Sequence, residues 1–279
     1  MISQQPKKRW NIFLIDKLFL LLFLPIMNLA IIQARMASTR LPGKVLKKVN
    51  NTPLLAYQIK RVKLAKKVDK IIIATGQGKA NDPIEKLCRK IKIDCFRGSE
   101  DDVLDRYYQC SLKYPKYENI IRLTGDCPLI DPSVIDEVIA LFEQTKPDYA
   151  SNVPTGKETY PDGMDVEVFS RQVITLANQK ASLPSDREHV NEYILRNKRF
   201  SKAYLTAPHD FSRYRLTVDN PEDFAVIKFL IKHSKITDNY LRYSSLLTKN
   251  PKIMLSNMHL KRNAGYLKSL KKDKLFKKK

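Results

Sequence analysis

The sequence is poor in the residues that build metal centres, disulfides and glycine cradles. It holds one Trp, four Cys, four His and eight Gly in 279 residues. Cys88, Cys95, Cys110 and Cys127 stand seven, fifteen and seventeen positions apart. None lies close in sequence to His189, His209, His233 or His259. With no C-x-x-C pair and no Cys/His grouping, a zinc site has no sequence support. The cysteines read instead as small reduced core residues, which suits a cytoplasmic protein. The pattern G-x-x-x-x-G-K-[ST] is absent, and GQGKAND at 76–82 does not fit G-x-G-x-x-G. Neither a P-loop nor a dinucleotide fingerprint is present. Long apolar runs are missing too. The uncharged run at 18–27 is shorter than the ~20 residues that a membrane-spanning helix needs, and Asp16 and Lys17 interrupt it. No stable membrane span is expected.

Acids are scarce relative to bases, 29 Asp and Glu against 51 Lys and Arg, a net charge of +22. Such a balance suggests nucleic acid, an acidic membrane surface or anionic small substrates. Its distribution weakens the first two. Residues 252–279 carry ten Lys and Arg and one acid, so nine of the 22 surplus charges sit there. This basic C-terminal tail, 251–279, reads as a solvated, frayed terminus. No nucleic-acid partner is expected. At the other end, KKRW and an apolar stretch resemble a signal peptide without a small-x-small cleavage site. Residues 1–26 therefore read as an extension outside the fold, as a mistaken start upstream of Met27 would leave. A leader or anchor is the alternative, and the intact mass of the natively expressed protein separates the two.

Between these ends, strand-like and helix-like runs alternate. LAIIQA (29–34), KIIIATG (70–76), IDCFRG (93–98) and NIIRLTG (119–125) read as buried strands. Thr52-Pro53, Asp82-Pro83 and Asp131-Pro132 read as helix starts. Repeated strand–helix units imply an α/β fold with a doubly wound, mostly parallel sheet. After Tyr149 the pattern changes. MDVEVFS (164–170) alternates as a half-buried strand does, and Ser185 with Glu188 makes a capping box. RYRLTV (213–218) reads as a strand, followed by a helix capped by Asn220-Pro221. The expected domain is 27–250, with a small α+β insert at about 151–212.

In open α/β sheets, ligands bind beyond the carboxyl ends of the strands. ARMASTRLPGK, RGSEDD and TGDCPLID fall there. The first carries Arg35, Arg40 and Lys44 beside Pro42-Gly43. Asp126 and Asp219 each follow an apolar run. Three cations beside two carboxylates suit a polyphosphate and Mg²⁺, a hard ion that joins carboxylates to substrate phosphates. Taken singly, the cations also fit an exposed loop, and each Asp also fits a cap.

IIQARMASTRLPGKVL, RGSEDDVLDRY, RLTGDCPLIDP, PDGMDVEVF, PSDREHVNEYI and RLTVDNPEDF occur in this order. Together they resemble the spore-coat polysaccharide (SpsF-type) nucleotidyltransferases. These are similar to the cytidylyltransferases of 3-deoxy-manno-octulosonate and acylneuraminates. The likeness covers about 27–273, including HLKRNAGYLKSLKKD, where the family favours Glu in place of Ala264.

The resemblance implies a Rossmann-like, GT-A-like nucleotidyltransferase fold. It implies an enzyme that transfers CMP from CTP to a sugar and releases pyrophosphate, serving surface polysaccharide synthesis. Arg35, Arg40 and Lys44 would act on the triphosphate, and Asp126 and Asp219 would hold Mg²⁺. Ala34, Arg97, Gly98, Ser99, Thr124 and Gly125 would shape the base and ribose site. The acceptor is expected to be an acidic 2-keto-3-deoxy sugar. Asp165, Glu167, Arg187 and His189 are the expected acceptor contacts, and a homodimer is implied. Asp165 and Glu167 equally fit the polar face of a half-buried strand, and Arg187 and His189 an exposed helical turn. Two other readings remain at this point. A glycosyltransferase needs a similar fold, but it binds a diphosphate and often carries Asp-x-Asp. A basic polyanion-binding protein would rest on the net charge alone.

Overall fold

The computed structural model describes residues 26–262 and 264–276. All but the last residue of the 1–26 extension lies outside the described residues, as do the last three lysines. Seven strands form one sheet. In chain order they are β1 (Met27–Gln33), β4 (Lys70–Gly76), β5 (Asp94–Gly98), β6 (Tyr117–Thr124), β7 (Tyr149–Ser151), β8 (Glu167–Ser170) and β9 (Lys202–Tyr204). Across the sheet the order is β5-β4-β1-β6-β8-β7-β9. The first four are mutually parallel, and β8 runs antiparallel to β6 and β7. The expected mostly parallel α/β sheet is therefore present, and the stretch after Tyr149 extends it.

Continuous apolar strands follow from helices on both faces. Ala30 and Ile32 face a core with Leu54, Leu55 and Ile59 of α1 (Leu54–Val62) and Ile135 of α4 (Pro132–Thr145). Leu29 and Ile31 face another, with Leu104 and Tyr107 of α3 (Val103–Leu112) and Ile174 of α5 (Arg171–Lys180). Helix α2 (Asp82–Lys90) opens with the expected Asp-Pro pair. Asp131 caps α4 by accepting from the Ser133 amide at 3.0 Å. Asn220 and Asp223 box the start of α8 (Pro221–Lys232). No helix among the described residues is long and apolar enough to cross a membrane.

Several local expectations differ from the structure. Thr52-Pro53 is β3, which pairs with β2 (Lys48–Val49); α1 begins one residue later. Asn50 and Asn51 both have positive φ, so a tight two-residue hairpin takes the chain's hydrogen bonds there. MDVEVFS becomes a strand only from Glu167. Upstream, the Asn152 side chain donates to the Met164 carbonyl and accepts from the Val166 amide, at 2.7 and 2.8 Å, replacing ladder bonds. RYRLTV is buried and extended but joins no sheet. Its bonds go to loops: Asp162 donates to Tyr214, Leu216 to Asp162 and Val218 to Asp126. Ser185 does not cap α6 (Pro184–His189), which starts before it. Its amide and hydroxyl instead donate to Asp273, at 2.9 and 2.6 Å.

That last contact changes the reading of the tail. Beyond α7 (Glu192–Arg196) and α9 (Tyr240–Lys249), the chain continues as α10 (Pro251–Met258) and α11 (Ala264–Phe276). Helix α11 docks on α6 through Asp273, through Ser269 to His189 at 2.8 Å, and through Lys272 to Glu188 at 3.2 Å. The frayed-terminus expectation fails here because Ser269, Lys272 and Asp273, three and four positions apart, share one helical face and anchor it to α6.

Candidate active site

The loop after β1 is short of apolar residues, and two of them hold it down. Leu41 and Val45 are buried, while Arg35 and Arg40 stay exposed. Gly43 has φ +65, a conformation that glycine adopts without strain. Its amide donates to Met36, and the Lys44 amide donates to Leu41. The resulting turn points Lys44 inward, with its side chain 13% exposed.

Lys44 Nζ lies 2.7 Å from Asp126 Oδ2 and 2.8 Å from Asp219 Oδ1. Residues 82 and 175 positions apart thus converge on one nitrogen. Arg40 reaches the same Asp219 oxygen at 2.8 Å. Burial works against the Lys44 ammonium, but the charges of Asp126 and Asp219 outweigh it and hold its pKa above the ordinary value. Burial also pushes the Asp126 carboxyl up, and Lys44 more than reverses this, holding it at about 2.

The two acids are fixed relative to each other. The Val218 amide donates to the Asp126 carbonyl at 2.8 Å, stitching both acid-bearing loops together. Arg215 donates to Asp219, Asp223 and Asp162, at 3.0, 2.9 and 2.5 Å. Asp223 also accepts from the amides of Asp219 and Asn220, both at 3.0 Å.

The other residues expected on the nucleotide side lie at the neighbouring strand ends. Ala34 donates to the Ala74 carbonyl and Gly125 to Gln33. A Cβ on Gly125 would stand 2.8 Å from the Gln33 carbonyl oxygen, so only glycine permits this approach. Gln58 donates to the Thr124 carbonyl at 2.8 Å. Arg97 serves its own loop: it donates to the carbonyls of Gly76, Gln77 and Gly78 and pairs with Asp82 and Glu85. A Cβ on Gly98 would meet Phe96 and Arg106. Ser99 Oγ accepts from the Asp102 amide. Met36 donates to Asn81, and Asn81 to Glu100, which ties the loops after β1, β4 and β5 together.

The expected acceptor contacts are brought to the same end of the sheet but differ in freedom. Asp165 accepts from Arg262 at 2.6 Å. Glu167 is buried against Arg122, at 2.6 Å. Burial pushes its carboxyl up to about 7, though Arg122 opposes this. Asp162 is likewise pushed up to about 7, by burial and then by the charge of Asp165. His189 is held at about 4 by burial and by Arg122. Arg187 spends its nitrogens on Asp102 and on the Asn178 carbonyl and side chain. It therefore buttresses α6 against the start of α3. Arg122, Arg215 and Arg262 escaped the sequence reading. The available signal was an arginine inside an apolar run, as in IIRLTG and RYRLTV.

Among the described residues no three His, Cys, Asp or Glu gather as a metal cluster. Asp126 and Asp219 nevertheless aim oxygens at one point, where the Lys44 ammonium now stands in for a cation. An oxygen-only pair suits a hard divalent ion whose other ligands are phosphate and water.

The sequence pattern of a family described as Cytidylyltransferase matches residues 29–253. The chain belongs to this family. Family membership favours nucleotidyl transfer over the glycosyltransferase reading. The spore coat polysaccharide biosynthesis protein SpsF of Bacillus subtilis is 38% identical over 211 residues, 72% of this chain and 85% of that protein. The 8-amino-3,8-dideoxy-manno-octulosonate cytidylyltransferase of Shewanella sp. (strain ANA-3) is 30% identical over 194 residues, 64% of this chain and 78% of that enzyme. Among solved structures, a cytidylyltransferase from Leptospira borgpetersenii is similar with a TM-score of 0.77 and 32% identity, covering 82% of this chain and 97% of that one.

Proposed function

We propose that this cytidylyltransferase transfers CMP from CTP to a hydroxyl of an acidic 2-keto-3-deoxy sugar, releasing pyrophosphate, for surface polysaccharide synthesis. The observation that carries the proposal is the convergence of Lys44, Arg40, Asp126 and Asp219 at the strand ends. The Shewanella relative, which acts on such a sugar, supports the acceptor class.

In this reading Arg35, Arg40 and Lys44 hold the triphosphate, and Ala34, Gly98, Ser99, Thr124 and Gly125 border the base and ribose. Arg97 fixes the loop beside them. Asp126 and Asp219 would hold Mg²⁺. When bound, the ion supplies charge that polarises the phosphates. The sugar hydroxyl gives up its proton to solvent as its oxygen forms a bond to the α-phosphorus, while the bond from the α-phosphorus to the bridging oxygen breaks. Negative charge builds on the leaving pyrophosphate, and fixed cations stabilise it in a site poor in water. Lys44 exchanges its two carboxylates for phosphate oxygens as the nucleotide enters. Asp165, Glu167 and His189 border the acceptor, with Arg187 supporting the helix that carries His189. A homodimer in the cytoplasm completes the proposal.

The test is thermal stability with Mg²⁺ and each of CTP, UTP, ATP and GTP, followed by pyrophosphate release with sugar acids. A ligand at about 100 times its Kd stabilises a fold by about 2.7 kcal/mol. Selective stabilisation by CTP is expected. Equal response to all four, or none, overturns the nucleotide assignment. Light scattering on the purified protein checks the dimer.

A further inference from the structure

An acidic acceptor needs a cation to read its carboxylate, and most arginines near the site are already committed. Arg187 and Arg97 spend their donors on loops and acids. Arg215 serves three aspartates. Arg262 also keeps Nε and Nη1 without a hydrogen-bond partner, but it faces two acids, Asp165 and Asp162, where Arg122 is paired with one. Arg40 and Lys44 belong to the phosphate side.

Arg122 differs. It lies on β6, four residues before Asp126, directly across from Glu167 on β8. Ile120, two residues earlier, packs with Tyr107, Tyr149 and Phe169, so strand alternation puts Arg122 on that face. Its side chain is 11% exposed and that of Glu167 is 8% exposed. Glu167 Oε1 takes Arg122 Nη1. The pair is only half used, because Arg122 Nε and Glu167 Oε2 are both buried without a partner. A buried ion pair tolerates desolvation only when its remaining protons and lone pairs are satisfied. Here one donor and one acceptor of the same ion pair are left over. The charge of Asp165, an expected acceptor contact, acts on Glu167, and those of Arg122 and of Arg35 on the loop after β1 act on His189.

We propose that Arg122 and Glu167 are specificity-determining residues: Arg122 binds the acceptor's carboxylate through its unpartnered Nε edge, and Glu167 Oε2 accepts from a sugar hydroxyl. This rests on the cytidylyltransferase reading. A planar guanidinium offers a carboxylate two parallel charge-assisted bonds, which a lysine cannot. Glu167 holds the guanidinium in place and takes the neighbouring donor. A neutral sugar leaves the buried Nε unmet, and an unmet buried group is what gives polar sites their discrimination.

The probes are 3-deoxy-manno-octulosonate and its methyl ester, assayed with CTP and Mg²⁺ by pyrophosphate release. Wild type should prefer the free acid. In the double variant Arg122→Gln/Glu167→Gln no buried charge is left alone. Its KM for the acid should rise by about tenfold or more, with the KM for CTP within about twofold. Its preference for acid over ester should disappear. Arg122→Lys, which keeps the charge, should recover only part of that preference; if the double variant does not fold, this variant decides alone. An unchanged acid-to-ester ratio in the variants overturns the proposal, as does an equal rise in both KM values. A wild type that CTP stabilises, but that uses acid and ester equally or uses neither, also overturns it and leaves the nucleotide assignment standing. A wild type that CTP does not stabilise, and that releases no pyrophosphate with any sugar acid, defeats the cytidylyltransferase reading instead.

Discussion

Replacing Lys44 by methionine keeps most of the side-chain volume and removes the ammonium. Two effects follow from the geometry. First, Asp126 and Asp219 are left facing one vacated point. Lys44 holds the Asp126 carboxyl at about 2 against an ordinary 3.8. Losing that shift costs about 2 kcal/mol. The sign is that of a depressed carboxylate. The stabilisation is complete above pH 3.8 and disappears as pH falls towards 2. At pH 7 the full loss therefore applies, a fall in Tm of about 4–8 °C for a domain of this size. Second, the ammonium no longer competes for the two carboxylates. Mg²⁺ without nucleotide should restore much of the lost stability in Lys44→Met and do little to wild type. In turnover, kcat should fall about 100-fold, the scale of one lost charge-stabilising donor, while CTP affinity falls less. Thermal melting with and without Mg²⁺ reads both effects, and pyrophosphate assays read the turnover. An unchanged Tm, or equal Mg²⁺ stabilisation of both proteins, would refute the reasoning.

Two further outcomes follow from single residues. Burial and Arg122 hold His189 at about 4 against 6.5, so its neutral form belongs to the fold. Stability tied to it is complete above pH 6.5 and is lost as pH falls towards 4, by up to about 3 kcal/mol. His189→Gln should flatten the denaturant-measured stability across that window, and an unchanged slope counts against the shift. Gly163 has φ +102, and a Cβ there would stand 2.6 Å from the Leu216 carbonyl carbon and 2.7 Å from the Thr217 amide nitrogen. Both obstacles are backbone, so Gly163→Ala should cost about 3 kcal/mol. A variant melting within about 2 °C of wild type argues against this packing.

The parallel half of the sheet was legible because its strands are buried on both faces. KIIIATG is a strand by composition alone, and Asp131-Pro132 marks a helix start whatever surrounds it. The second half was less legible where side chains replace backbone partners. Asn152 holds Met164 and Val166 as a neighbouring strand would, which no periodicity reveals. RYRLTV has the pattern of a strand because it is buried, but its hydrogen bonds go to the loops around Asp126 and Asp162. Burial pattern and ladder membership are separate properties, and sequence alternation reports only the first.

The site divides in the same way. The convergence of Arg40, Lys44, Asp126 and Asp219 was legible because strand ends gather loops, and those loops carry the charges; Arg35 stays exposed on the same loop. What the sequence concealed is that the charges are already paired. Lys44 and Arg40 neutralise Asp219, Lys44 neutralises Asp126, and Arg215 locks Asp219 from behind. This self-pairing has a functional consequence. A nucleotide without its ion would meet cations still attached to acids, and an ion alone would meet acids still attached to Lys44. In the proposed reaction only the two together would give these charges new partners: phosphates for Lys44 and Arg40, the ion for Asp126 and Asp219. On that proposal the site would favour the metal–nucleotide complex over either component, because each component alone would leave a partly buried charge unpaired.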